Sequence, residues 1–372
     1  MEFTIDRDVF SRALARMQGI VEKKSTMAML SNALIRAEDA TTIQVAATDL
    51  DVTLVGRYPA SVEKTGALTV NARSLYDIVR NLPPGELALI GQENNWVEIR
   101  QGAIEFRMVG MPPDEFPALP EAAGENLGCN ISKKQLFLMI EGVIFSVSTD
   151  DTRPNLNGVL VKPAGVEKLM MVSTDGHRLS KVVRHVGSNL EGLPEEGVII
   201  PRKGLAELKR AMDDGGERIS FGVQGSQVIF QGESDTLFVR LIDGVFPDFN
   251  RVIPKTNRNV ARMEREQLIT SLRRVSLFAQ AKTMGIRIAL SSDGRMRISA
   301  SNPDLGRAQE EFEVDYSGDT LEIGYNARYL LDCLAPIETR EVRFEMNDDL
   351  SPGIVRVDGD DDSFYVVMPM RL

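Results

Sequence analysis

The chain has 372 residues, of which 43% are hydrophobic and 26% charged, and its formal net charge is −11. That length exceeds one comfortable core and fits two or three domains of ordinary size; no apolar run approaches the roughly 18 residues a membrane helix needs. The acidic excess excludes a protein that coats nucleic acid with its whole surface, but not one with a local basic face.

The opening Met1-Glu2-Phe3-Thr4-Ile5-Asp6 is acidic and strand-like, without the basic and apolar regions of a signal peptide, so a cytoplasmic protein is expected. After Phe3 and Ile5 alternate as a strand, Val9, Phe10, Ala13, Leu14 and Met17 recur at helical spacing. Strands are expected at 33–35, 43–46 and 52–55, separated by turns at Glu38-Asp39 and Thr48-Asp49. A second helix over 73–82 puts Leu75, Ile78, Val79 and Leu82 on one face and stops at Pro83-Pro84-Gly85, because proline cannot continue the hydrogen-bond ladder. Strands at 87–90, 96–100 and 104–109 close the segment as a meander.

This organisation is then repeated twice. The amphipathic opening Ile5-Asp6-Arg7-Asp8-Val9-Phe10 returns as Ile131-Ser132-Lys133-Lys134-Gln135-Leu136 and as Met263-Glu264-Arg265-Glu266-Gln267-Leu268, at spacings of 126 and 132 residues. Ordered anchors follow at the same period. Ala47-Thr48-Asp49, Ser173-Thr174-Asp175 and Ser301-Asn302-Pro303 end an apolar run; Asn71-Ala72-Arg73, Pro201-Arg202-Lys203 and Asn326-Ala327-Arg328 open a second helix; Phe106, Phe238 and Phe364 mark a closing strand. The period is too long for a solenoid, so each copy is a domain. Proline-rich segments at 111–124 and 246–254 divide the chain into 1–124, 125–254 and 255–372.

Charge follows the repeat. Over the six expected helices (6–17, 71–80, 132–142, 202–212, 264–277 and 326–334) it sums to about +7, leaving about −18 for the rest of the chain. Either any charge serves a solvated helix face, or the helices share a surface that meets a polyanion.

Catalytic chemistry finds little support. Thr174-Asp175-Gly176-His177-Arg178-Leu179 places a carboxylate near an imidazole, but no activated nucleophile or G-x-S-x-G elbow accompanies it, and a tight Asp-Gly turn is the simpler reading. His177 and His185 are the only histidines, Cys129 and Cys333 the only cysteines, and no C-x-x-C occurs, so no metal site or disulfide is expected. Asp358-Gly359-Asp360-Asp361-Asp362 lacks the spacing of a calcium loop, and no phosphate-binding glycine loop is present; no cofactor is expected. The ending Tyr365-Val366-Val367-Met368-Pro369-Met370-Arg371-Leu372 stays apolar where termini usually fray. It reads either as an edge strand closing the last repeat or as adaptable apolar surface beside a pocket.

Three homologous domains, the Thr174 to Leu179 motif, Pro201-Arg202-Lys203-Gly204, Phe246-Pro247-Asp248-Phe249 with Arg251-Val252 and Pro254, and the ending Tyr365 to Leu372 resemble the bacterial sliding clamp family, the beta subunit of DNA polymerase III. The resemblance covers essentially the whole chain. It implies an α+β fold of three repeated DNA-clamp domains, each two helices packed on antiparallel sheets, and a head-to-tail homodimer closed into a six-domain ring around double-stranded DNA. No catalysis is implied.

A basic inner wall would attract phosphates without reading bases; its candidates are Lys24, Arg73, Arg80, Arg202, Lys203, Lys209 and Arg210. The family's cleft for short peptides of the polymerase III alpha subunit, the clamp loader, other polymerases and repair proteins maps onto Arg153, Leu156, Thr174, Gly176, His177, Arg178, Leu179, Pro247, Arg251, Val252, Asn326, Tyr329, Val366, Met368, Pro369, Met370 and Arg371. One part would hold an apolar anchor, the other a more polar stretch. Pro154 and Asn155 depart from the aromatic pair of the family's best-known member. Ile78, Phe106 and Met108 would meet Leu277 and Phe278 across the dimer interface, with Glu310, Glu311 and Glu313 facing Arg100 and Arg107. A protein-interaction scaffold without DNA encirclement is the alternative, and an enzyme using Asp175 and His177 a further one.

Overall fold

The computed structural model describes residues 1–22, 27–122, 127–212, 215–254 and 256–371. Lys24, the expected boundary at 124 and Lys255 lie outside them.

The first third runs β1 (Glu2–Asp6), α1 (Arg7–Met17), β2 (Asn32–Ala37), β3 (Thr42–Thr48), β4 (Val52–Pro59), β5 (Ser61–Lys64), β6 (Gly66–Asn71), α2 (Ala72–Asn81), β7 (Glu86–Gly91), β8 (Trp96–Gln101) and β9 (Ile104–Val109). The second runs β10 (Cys129–Ser132), α3 (Lys133–Glu141), β11 (Gly158–Pro163), β12 (Lys168–Thr174), β13 (Arg178–His185), β14 (Val198–Pro201), α4 (Arg202–Ala211), β15 (Arg218–Gln224), β16 (Gln227–Gln231) and β17 (Asp235–Arg240). The third runs β18 (Asn259–Glu264), α5 (Arg265–Ser276), β19 (Gly285–Ser291), β20 (Arg295–Asn302), β21 (Gly306–Glu313), β22 (Leu321–Asn326), α6 (Ala327–Leu334), β23 (Glu341–Met346), β24 (Gly353–Val357) and β25 (Phe364–Val367). Apart from the extra β5, each third has one element order, and the anchors Phe106, Phe238 and Phe364 fall in its last strand.

Local chemistry sets the helix starts. Asp6 Oδ1 accepts from Asp8 N and Val9 N at 2.9 and 3.1 Å, Asn71 Oδ1 from Ser74 N at 2.9 Å, and Asn326 Oδ1 from Arg328 N and Tyr329 N at 2.9 and 3.3 Å. Each satisfies backbone donors that the first helical turn leaves open. The faces expected from periodicity are the buried ones: Phe10, Ala13, Leu14 and Met17 on α1, Leu75 and Val79 on α2. With these bounds the six α-helices among the described residues carry +9, so the rest of the chain carries −20 to reach −11.

Among the described residues every strand pairing is antiparallel, and the sheets cross the limits of the thirds. One compact unit comprises Met1–Lys134, Ser188–Pro194 and Lys203–Leu241; the other comprises Gln135–Gly187, Glu195–Arg202 and the chain from Ile242 onward. The first holds the sheets β5-β1-β7-β8-β9 and β10-β15-β16-β17-β4-β3-β2-β6. The second holds β14-β11-β12-β13-β25-β24-β23-β18 and β21-β20-β19-β22. Within each unit, then, the last strand of one third is hydrogen-bonded to the third strand after the first helix of the preceding third: β17 to β4, and β25 to β13. An edge strand at the C-terminus is thereby corrected. β25 lies between β13 and β24 with all four residues buried, as its unbroken apolar run requires of a central strand.

Candidate functional site

The turn joining β12 to β13 is held by its own side chains. Thr174 Oγ1 donates to Arg178 O at 2.7 Å and accepts from Gly176 N at 3.1 Å, while Asp175 Oδ1 accepts from His177 N and Arg178 N at 2.9 and 3.0 Å. Gly176 has φ +89°, which strains any residue with a Cβ. Asp175 Oδ2 accepts from Arg178 Nε at 3.1 Å, so this carboxylate serves the turn and the arginine. His177 is exposed above it.

Arg178 is a structural knot as much as a surface group. Nη1 donates to Asp332 Oδ2 at 2.6 Å, Nη2 donates to Phe145 O, and the guanidinium lies 4.4 Å from the centroid of the Tyr329 ring. Burial opposes its charge, but the hydrogen bond to Asp332 and the charges of Asp175 and Asp332 outweigh that, raising its pKa above the ordinary arginine value. Its side chain is only 10% exposed; its donors hold Asp175, Asp332 and the Phe145 carbonyl, and its face covers the Tyr329 ring.

The C-terminal segment continues across this turn. β13 and β25 pair Leu179 with Val366, then Met368 N donates to His177 O and Met370 N to Gly324 O, both at 2.9 Å. Leu156, Leu179 and Val366 share one apolar cluster with Val172, Phe246 and Phe364, and Phe249 and Ile253 pack against it. Pro247, Arg251 and Val252 are exposed on that same 246–253 segment, with Val252 47% exposed. Arg153 pairs with Asp150 at 3.1 Å, and its Nη1 lies 3.3 Å from where a Cβ on Gly176 would sit. Asn155 Nδ2 donates to Val245 O at 3.1 Å and ties the Arg153 loop to the Phe246 loop.

The cleft candidates thus gather in one unit, around an apolar floor and the C-terminal segment. Asn326 serves as the α6 cap, and its Nδ2 donates to Thr283 O at 3.1 Å. Sequence reasoning missed Val172, Phe246, Phe249 and Ile253 as floor residues. Phe246-Pro247-Asp248-Phe249 was the available signal, and it reads as a linker until the fold buries Phe246. Met370 and Arg371 also border a cavity of about 730 Å³ on the outer face of β19–β21.

In the other unit Arg73 and Arg80 on α2 and Arg210 on α4 line one groove of about 500 Å³ with Gln18, Asn71 and Tyr76; Glu22 and Asp77 line it too. α1 and α4 approach closely beside it, because a Cβ on Gly19 would collide with the side chains of Glu207 and Arg210. Arg80 pairs with Asp77 and Arg210 with Glu207, each at 3.0 Å, and Lys203 pairs with the nearly buried Asp49. Arg73 has no ion pair among the described residues; Lys209 and, in the second unit, Arg202 are exposed. Exposed pairs contribute about 0–1 kcal/mol, so a phosphate can compete for these arginines.

The dimer-interface candidates lie on edges. Phe106 is 41% exposed on β9 beside half-buried Met108, while Ile78 is half-buried on α2. Leu277, just past α5, is 72% exposed, and Phe278 packs against its own unit's core. Four of the five rim charges expected to meet across the interface have partners within their own units: Arg100 and Arg107 reach the buried Glu98, Glu310 pairs with Arg274, and Glu311 with Arg295 and Arg297.

A triplicated helix-on-sheet domain, with the last strands of the second and third copies received into the sheet of the preceding copy, defines a DNA-clamp type of protein. Models of the N-terminal, central and C-terminal domains of the DNA polymerase III beta subunit match residues 1–120, 130–248 and 250–371. The chain is 36% identical over 373 residues to the beta sliding clamp of Pseudomonas putida, covering 100% of both chains. It superposes on the crystal structure of the DNA polymerase III subunit beta from Pseudomonas aeruginosa with TM-score 0.92, at 34% identity and 100% coverage of both. With a sliding clamp from Pseudomonas aeruginosa bound to griselimycin the TM-score is 0.91, at 35% identity and 100% coverage of both. The chain belongs to the bacterial sliding clamp family, the beta subunits of DNA polymerase III.

Proposed function

We propose that this protein is a non-catalytic, cytoplasmic processivity clamp. Two copies close head to tail around duplex DNA and hold the replicative polymerase, clamp loader and repair proteins by short peptides. Its three clamp domains are 1–124, 125–254 and 255–372.

One observation carries the ring. β17 joins β4 and β25 joins β13, so the last strand of each later third meets the third strand after the first helix of the preceding one. Continued cyclically, that pattern pairs β9 with β21. Both are edge strands in their own sheets. Two bare edges within one chain's repeat are what a second copy can fill, and a heterologous contact of this kind forms a ring when its rotation closes. The apolar side chains Ile104, Phe106 and Val109 on the first edge, and Trp96 on the strand beside it, are 37% to 64% exposed, which suits burial by a partner. Leu277 suits the opposite side.

The basic groove of Arg73, Arg80 and Arg210 supports DNA contact through phosphates, which leaves the clamp free to slide. The apolar cluster under Leu179 and Val366 supports an anchor site for peptides. The test is retention. Loaded protein stays on nicked circular DNA through gel filtration and is released when the circle is cut, whereas release indifferent to cutting would sink encirclement and favour the scaffold.

A further inference from the structure

The outer face of the sheet β21-β20-β19-β22 is hollow because its alternate positions there carry small residues: Gly285 on β19, Ser299 and Ser301 on β20. The C-terminal Met370-Arg371 closes one side, fixed where Met370 N donates to Gly324 O at 2.9 Å. The resulting cavity of about 730 Å³ is lined by three arginines, Arg287, Arg307 and Arg371, and by no Asp or Glu. Arg287 is bonded to Glu322 at 2.8 Å. Arg307 and Arg371 are exposed and have no ion pair among the described residues.

We propose that this cavity receives acidic side chains that flank the apolar anchor of a bound partner peptide. The inference rests on the peptide-cleft reading and adds to it a charge requirement on the partner, with Arg307 as the residue that sets it. Two features favour an acidic peptide. The C-terminal segment that pairs with Leu179 at Val366 runs on to Met370-Arg371 at the cavity's border, so a peptide that is anchored over Leu179 and follows this segment reaches the arginines. Its lining also includes no aromatic ring, and so offers no stacking platform of the kind that single-stranded nucleic acid uses. Opposite charges meeting around a concave, partly desolvated surface add specificity even where each pair adds little affinity.

The experiment uses the full chain and fluorescent synthetic peptides that share a Leu-Leu-Phe anchor. They differ only in a four-residue flank, Asp-Asp-Glu-Asp or Asn-Asn-Gln-Asn, placed on either side. In anisotropy titrations at about 50 mM salt the acidic flank tightens binding about fivefold, and the gain fades towards about 0.5 M salt. Arg307→Gln abolishes the gain without changing the Kd of the neutral peptide, and Arg307→Lys keeps most of it. Equal affinities for the two flanks, or a gain that survives Arg307→Gln, overturn the proposal and leave the cleft standing. If neither peptide binds, cleft and proposal fall together.

Discussion

The turn after β3 and the turn after β12 share three side-chain-to-backbone hydrogen bonds but not their surroundings. Thr48 Oγ1 accepts from Leu50 N at 3.0 Å, as Thr174 Oγ1 accepts from Gly176 N at 3.1 Å. Asp49 Oδ1 accepts from Asp51 N and Val52 N at 3.0 and 2.6 Å, as Asp175 Oδ1 does from His177 N and Arg178 N. In each turn one residue has positive φ, but it is Leu50 at 79° in the first and Gly176 at 89° in the second. The strand that follows each turn then receives the last strand of the next third.

Beyond that point the two junctions diverge. At β4–β17, Asp235 is fully buried and accepts from Arg16 Nη1 and Ser234 Oγ, each at 2.6 Å, and from Tyr58 Oη. Burial, then the Asp235 charge, raises the Tyr58 pKa, so the phenol stays a donor. At β13–β25 the charges around Arg178 are nearer the surface, a glycine tops the turn, and the strand runs on into Met368 to Arg371. The same backbone join is a weld in one place and a dock in the other, and a few side chains make the difference.

The largest expected effect tests the weld. Asp235→Ala removes the carboxylate from Arg16, whose side chain is only 11% exposed, and costs about 3–5 kcal/mol. Arg178→Ala costs less, about 1–2 kcal/mol, because Asp175 and Asp332 are 18% and 30% exposed and can take up water. Urea midpoints of the two variants decide it; a greater loss from Arg178→Ala reverses the comparison.

Next in size is the conversion of the dock into a copy of the first turn. Gly176→Leu sets a side chain beside Arg153 and costs roughly 1–2 kcal/mol of stability at positive φ. Affinity for a Leu-Leu-Phe peptide falls about tenfold or more, as expected when a contact at the centre of a site is blocked. Native affinity in a folded Gly176→Leu protein would remove this turn from the cleft.

Local rules made much of this legible. The helix starts at 6–7, 71–72 and 326–327, the buried faces of α1 and α2 and the closing strands at Phe106, Phe238 and Phe364 follow from spacing and side-chain chemistry within a few residues. The junctions were not legible, because Thr53 and Phe238 pair across 185 positions and such a pairing leaves no local period. For the same reason the compact units do not coincide with the sequence thirds: shared sheets split the second repeat. At the candidate site the residue types were readable and their partners were not. Lys203 on α4 has Asp49 and Arg274 on α5 has Glu310, both partners outside the helices, so a count of helix charge overstates how much of it stands alone.

The smallest expected effect lies in the opposite exchange. Leu50 is 51% exposed, so its removal uncovers little apolar surface that folding had buried. A left-handed backbone costs a residue with a Cβ about 1–2 kcal/mol, and glycine relieves that strain while adding about 0.5–1 kcal/mol of unfolded-state freedom. Leu50→Gly therefore stabilises the protein by about 0.5 kcal/mol, with no change in peptide affinity because the junction beside it has no C-terminal segment to complete a cleft. Urea titration of Leu50→Gly beside Gly176→Leu measures both exchanges on one scale. A loss of more than about 1 kcal/mol from Leu50→Gly would mean that this side chain makes a stabilising contact despite its exposure. The first turn would then differ from the second by what Leu50 touches, and not only by the strain it tolerates.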